Sequence, residues 1–276
     1  TEQIMIRIAL LGAAVLSLSG CDPATVLQKA NAVDAPEYSC FTKPSGGCSF
    51  DQTPLRVEPV PTQIQRRPYQ FFPTAQTLNF VDAGGRNWQA PRGTLTDGAS
   101  IPEIFTTIVG SPTAPEYVSA AAVHDAYCGI GNETGARFHD ARWQDVHHMF
   151  YNGLIVGGTP QFRAQLMYAA VWLGGPRWET TRRLDQVDVR QKQWAMQRTK
   201  SYIAQRKPTL PQLDGYLRVL EIELLEHREG KGGSPKEELI KEIEDLNVET
   251  PYIDTPYVEE PYFEDPYDNP NDPSAI

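Results

Sequence analysis

The stretch that decides the fold is Tyr117-Val118-Ser119-Ala120-Ala121-Ala122-Val123-His124-Asp125-Ala126-Tyr127-Cys128. It is apolar and small almost all round, the pattern of a buried helix with neighbours on every side. His124 and Asp125 stand in its middle. An adjacent ionisable pair buried without partners costs several kcal/mol, on the order of 3–5. The pair therefore needs a partner, a proton or a metal, and it marks the first place to look for chemistry.

Reading downstream from this helix, the Gly-rich loop Gly129–Gly135 leads to a second helix expected over Phe138–Val156. Its apolar face is Val146, Met149, Phe150, Gly153 and Leu154. Thr159-Pro160 is a good start for a third helix, Gln161–Leu173, which Gly174-Gly175-Pro176 stops. A fourth, long helix is expected over Glu179–Gln205, in a segment (177–207) with nine Lys/Arg and three acids. Pro208 and Pro211 read as a boundary. Beyond it, Gln212–Arg228 carries a leucine stripe at Leu213, Leu217, Leu220 and Leu224, barely two heptads long. Ser234-Pro235-Lys236-Glu237 has the form of a capping box opening one more short helix to about Leu246.

Upstream, Leu78–Val81 alternates, Gly84-Gly85 turns, and Asn87–Ala90 returns, which predicts a hairpin. Gly93 to Pro102 is small, polar and turn-rich. The expected fold class is α+β, mainly helical: a small β-hairpin region followed by a helical, bundle-like core.

The ends have a different character. Arg7 precedes an apolar run, Ile8–Leu18, too short to span a bilayer in the usual way. It ends in Leu18-Ser19-Gly20-Cys21, which resembles a bacterial lipobox with Cys21 as the lipidation site; Met5 is the expected natural start. Lipidation would anchor the protein in the membrane on the periplasmic or outer side, with inner or outer membrane left open. Of the remaining cysteines, Cys40 and Cys48 flank a Pro-Ser-Gly-Gly turn and are the preferred disulfide; Cys128 reads as a core residue. The expected organisation is a signal peptide at 1–21, a tether at 22–68, a globular domain at 69–207, short amphipathic helices at 208–247 and a tail at 248–276.

The formal net charge is −10 over 276 residues. From Lys236 onward there are 13 acids and two Lys, so the rest is close to neutral. The acidity belongs to this tail, which ends in a Pro-Tyr repeat: Glu249-Thr-Pro-Tyr, Asp254-Thr-Pro-Tyr, Glu259-Glu-Pro-Tyr, Glu264-Asp-Pro-Tyr. Pro at every fifth place excludes helix and predicts an extended tail. Such a tail is a solubilising spacer or a multivalent docking segment, for an envelope protein or for the chain's own basic helix. The basic helix lacks interleaved aromatics or a nucleic-acid module, so no nucleic-acid partner is expected.

Four residues form the candidate chemistry: Asp97, His124, Asp125 and Asp145. Asp145 lies at the edge of the second helix's apolar face, and a short loop makes the two helices antiparallel neighbours. His124 is the expected general base, oriented by Asp145. Asp97 and Asp125 are the expected ligands of a divalent cation, calcium first. The plainer alternative makes His124 a core histidine satisfied by Asp145, with Asp125 bonded to backbone or to Arg142. Of His147 and His148, adjacent on a helix, at least one should face solvent.

Thr96-Asp97-Gly98-Ala99-Ser100-Ile101-Pro102, Ala121–Asp125, Arg142–Asp145 and Leu166–Val171 together resemble the domain-of-unknown-function family 1353, found in phages and bacteria, over about residues 70–180. The family implies a fold but no activity. More locally, the His-Asp pair with an Asp on a neighbouring helix is similar to secreted phospholipases A2. That resemblance implies His124 as base through a water, Asp125 on calcium and Asp145 behind His124. The flanking cysteines and a clear calcium loop are absent. H-E-x-x-H, Cys-based zinc, Walker and G-x-S-x-G patterns are also absent. The reading is a lipid-anchored envelope protein acting as a metal-assisted hydrolase on phospholipid ester or peptidoglycan. The alternative is a non-catalytic scaffolding lipoprotein, of phage or host origin, working through its tail.

Overall fold

The computed structural model describes residues 39–42, 47–65, 67, 70–98, 101–109 and 114–228. The lipobox, Cys21 and the Pro-Tyr repeats lie outside these residues, as does the short helix expected at 234–246. Two small antiparallel sheets come first. One has the order β1-β4-β5, built from β1 (Ser49–Phe50), β4 (Leu78–Val81) and β5 (Asn87–Ala90). The other has the order β2-β3-β6, built from β2 (Thr62–Gln63), β3 (Gln70–Pro73) and β6 (Leu95–Thr96). The β4–β5 hairpin pairs Leu78 with Ala90 and Phe80 with Trp88. These inward residues are buried while their neighbours are not, the two-residue period of a half-buried ribbon.

Among the described residues six helices follow: α1 (Thr106–Val109), α2 (Pro115–Cys128), α3 (Trp143–Val156), α4 (Gln161–Gly174), α5 (Val189–Arg206) and α6 (Leu210–Arg228). The fold is α+β and mainly helical. α2 is its axis. It packs on α3 along one side and on β5 and β6 along the other. Ala120, Ala121, Ala122 and Val123 are all fully buried. Gly153 of α3 and Gly157, which caps its C-terminus, let the two helices meet closely: a Cβ on Gly153 would come within 2.9 Å of the Ala120 Cβ. At Gly157 it would collide with the Glu116 carbonyl oxygen. Small residues on both faces therefore set the separation at which the polar side chains of α2 and α3 touch.

Several expected boundaries move. α3 starts at Trp143, not at residue 138, because His139 has φ of 57°, a left-handed backbone no helix can include. α5 starts at Val189, ten residues later than its expected start. Glu179 is again left-handed, and Asp188 caps the helix by accepting from the Arg190 N–H at 2.8 Å. The segment expected to be a tether is part of the domain from Cys40 on. β1 and β2 pair into the sheets, and the buried Cys40 donates its N–H to Asn152 Oδ1 on α3 at 2.7 Å. Cys40 and Cys48 form a disulfide.

Pro208 and Pro211 do not divide the chain. Pro211 sits in the first turn of α6, where a missing N–H costs nothing, and Thr209 and Gln212 cap that turn reciprocally. The leucine stripe packs inward rather than into a coiled coil: Leu213, Leu217, Leu220 and Leu224 belong to the same core as Phe80 and Val123. No helix among the described residues is long and apolar enough to cross a membrane.

Candidate metal centre

His124 and Cys128 lie one helical turn apart on α2, so they project from the same face. Cys128 Sγ stands 3.5 Å from His124 Nε2 and 3.7 Å from Nδ1. α3 brings His147 against them, its ring centroid 5.3 Å from that of His124. One ligand atom from each of the three lies within 4.8 Å of the others. All three are buried, His147 completely. Neither ring nitrogen of His147 has a hydrogen-bond partner. A buried polar atom left unsatisfied costs about 1–3 kcal/mol, so an imidazole with two such atoms signals a missing neighbour.

Burial holds the two imidazoles in the form that can ligate an ion. Burial takes the His124 pKa down to about 3, and that of His147 well below its ordinary value, with His124, Arg177 and His148 pushing the same way. Both rings are therefore neutral, the form that ligates metal. Burial, seconded by Asp125, raises the Cys128 thiol well above its usual range. That thiol is protonated, and a metal held there would have to displace its proton. α2 ends at Cys128, and a helix C-terminus carries partial negative charge. Zinc holds nitrogen and sulfur at about 2.0–2.3 Å, which puts neighbouring ligand atoms about 3.5 Å apart. The Cys128–His124 spacing already meets this; the His147 nitrogen, within 4.8 Å of the other two atoms, would have to move closer.

A second layer fixes His147. The Trp143 ring meets it edge-on at 5.4 Å, and the Arg177 guanidinium lies over Trp143 at 4.4 Å. Arg177 is held by Glu221 of α6 at 2.9 Å and donates to the Trp172 carbonyl at 2.7 Å. Below Cys128, the Asn132 side chain closes the Gly-rich loop: it donates to the Asp125 and Leu95 carbonyls and accepts from the Leu95 N–H.

The expected site residues are distributed differently. His124 and Asp125 are both buried on α2. Asp145 turns outward: it accepts from Arg142 at 2.9 Å and from Arg86 at 3.4 Å, and forms no hydrogen bond with His124. Neither the phospholipase-like pairing nor the core-histidine pairing of His124 with Asp145 forms, because Asp145 lies at the exposed start of α3. Asp97 sits in the turn after β6 beside Gly98; burial raises its pKa, only partly offset by a backbone hydrogen bond and by Arg67. Among the described residues it belongs to no group of three or more His, Cys, Asp or Glu side chains that could hold an ion.

Sequence reasoning missed His147 and His148. Both are buried, not one, because α3 is covered on two sides. His147 faces α2, and His148 faces α4 and α6, with its Nε2 2.7 Å from Asp214 Oδ2. Asp214 also accepts from the Tyr168 hydroxyl at 2.5 Å. The signal for Cys128 was present, as its i, i+4 spacing from His124. That for His147 was not, since only the helix crossing brings it in.

These features define a small α+β domain with a buried His-Cys-His cluster at the crossing of its two central helices. Residues 73–171 match the family model described as Protein of unknown function (DUF1353). The chain is 36% identical over 115 residues to Uncharacterized protein y4jT of Sinorhizobium fredii, covering 42% of this chain and 32% of that protein. It is 38% identical over 101 residues to Uncharacterized protein y4iH of the same organism, covering 37% of this chain and 39% of the relative. The chain thus spans well under half the length of these curated relatives. No solved structure matches it.

Proposed function

We propose that the protein is a metal-dependent hydrolase whose ion is held by His124, Cys128 and His147. The observation that carries this reading is His147: a fully buried imidazole with both nitrogens unpartnered, beside two other ligand atoms within 4.8 Å. The donor set of two nitrogens and one sulfur suits zinc. Calcium, with its demand for about six to eight oxygens, suits it poorly. Three protein ligands and an adjoining cleft are the pattern of a catalytic rather than a structural site. A zinc ion there would supply Lewis acidity to a water. Asp125, within electrostatic reach of Cys128, is the residue to take that water's proton and return it to the leaving group. His124 accordingly changes role, from general base to ligand. The lipobox reading of Cys21 adds the setting: a membrane-anchored envelope enzyme acting on phospholipid ester or peptidoglycan.

The test is a titration of the full chain with zinc, and with cobalt as a spectroscopic substitute. One equivalent should bind, with a thiolate-to-cobalt charge-transfer band. Cys128→Ser should remove the band and His147→Ala the tight binding, while Asp145→Asn keeps both. Hydrolysis of phospholipid vesicles and of peptidoglycan should then require the ion. A chain that binds no ion, or binds it equally well without His147 and Cys128, would make the cluster a buried structural network and overturn the reading.

A further inference from the structure

Cys128 also lines a cleft of about 480 Å³ between the α2–α3 loop, the C-terminus of α4 and the start of α5. One side is apolar, with Ile130, Phe138, Leu173 and Leu184. Three cations and two acids line the rest, and most are already engaged. Arg177 is bound to Glu221 and Arg183 to Asp185 at 3.2 Å, while Glu133 accepts from the Gly131 N–H. Lys192 differs. It is only 8% exposed, and among the described residues its ammonium has no hydrogen bond or ion pair. Asp185 and Asp188 act on it only at a distance.

The stem of Lys192 is buried and its ammonium reaches the cleft without a direct acceptor, so an anion there would meet an unneutralised positive charge. Lysine has a flexible stem and three donors, which suits a phosphate or carboxylate approached as a point charge. The stem of Lys192 and the apolar wall would lie along the same ligand, one contacting its charge and the other its hydrocarbon part. Ligand sites combine these features: mostly apolar walls with a few placed polar groups.

We infer that this cleft binds an amphiphilic anion, with its phosphate or carboxylate on Lys192 and its alkyl part between Phe138, Leu173 and Leu184. The inference deepens the hydrolase reading, since it sets the substrate's charged group beside Cys128. It also stands on its own geometry.

The experiment is calorimetric titration of the full chain with hexyl phosphate, hexanoate, hexanol and inorganic phosphate, each with zinc and with chelator. At least one hexyl anion should bind about tenfold or more tighter than both hexanol and inorganic phosphate. Lys192→Met should remove that advantage and leave hexanol unchanged; Lys192→Arg should keep part of it. A thermal melt of each variant confirms folding. The two amphiphiles separate phosphate from carboxylate, and inorganic phosphate separates a free ion from a headgroup on a chain. Binding that survives chelator supports the cleft even where the metal reading fails. Equal binding of hexanol and both anions, or anion binding untouched by a folded Lys192→Met, would overturn the inference.

Discussion

His124 and His147 are kept neutral by burial, and this sets how the metal-free protein responds to acid. The folded His124 titrates at about 3, against 6.5 for an ordinary histidine, and His147 also lies well below 6.5. Between those limits the unfolded chain binds protons that the folded chain refuses. The stability present above pH 6.5 is therefore lost as pH falls toward 3, at up to about 1.4 kcal/mol per pH unit for each ring. Urea melts of chelated protein between about pH 7.5 and 4.5 should show this slope. His124→Gln, which removes one of the two titrations, should flatten it; an unchanged slope would mean that the rings are not buried neutral.

The helices are joined by polar contacts whose loss can be ranked. α3, α4 and α6 meet at the buried carboxylate of Asp214, which accepts from Tyr168 and pairs with His148. Asp214→Ala leaves a buried hydroxyl and a buried imidazole without that partner, and should destabilise by about 2–4 kcal/mol. Tyr168→Phe removes one hydrogen bond and keeps the ring's packing, so it should cost less, about 1–2 kcal/mol. Chemical denaturation would rank the two; equal losses would point to ring packing rather than the carboxylate as the joint. The same reasoning assigns α6 a part in the site. Its Glu221 holds Arg177 over Trp143, and Trp143 meets His147.

For the molecule as a whole, one core runs from Cys40 to Leu224. A chain ending at Arg206 would lose α6 and expose the α4 and α5 faces it covers. Each buried leucine of that stripe is worth about 2–3 kcal/mol, and typical domains have only about 5–15 kcal/mol in total. The truncated chain should therefore show no cooperative melt by circular dichroism, whereas one ending at Gly230 should melt as the full chain does. A cooperative melt of the shorter chain would restore the boundary at Pro208. Residues 117–128 determined by themselves that a buried helix forms, since an all-round small apolar pattern has no other stable place. The Gly84-Gly85 turn likewise determined the β4–β5 hairpin, and the third helix was legible from its Pro160 and Gly174 ends. These are local signals, set by backbone preference and side-chain period. Tertiary structure alone decided that Asp145 turns to two arginines, that His147 meets His124 and Cys128, and that α6 closes the core. Those outcomes depend on which face of one helix meets which face of another. The close approach at Gly153 and Gly157 fixes that for α2 and α3, and no spacing within a single segment encodes it.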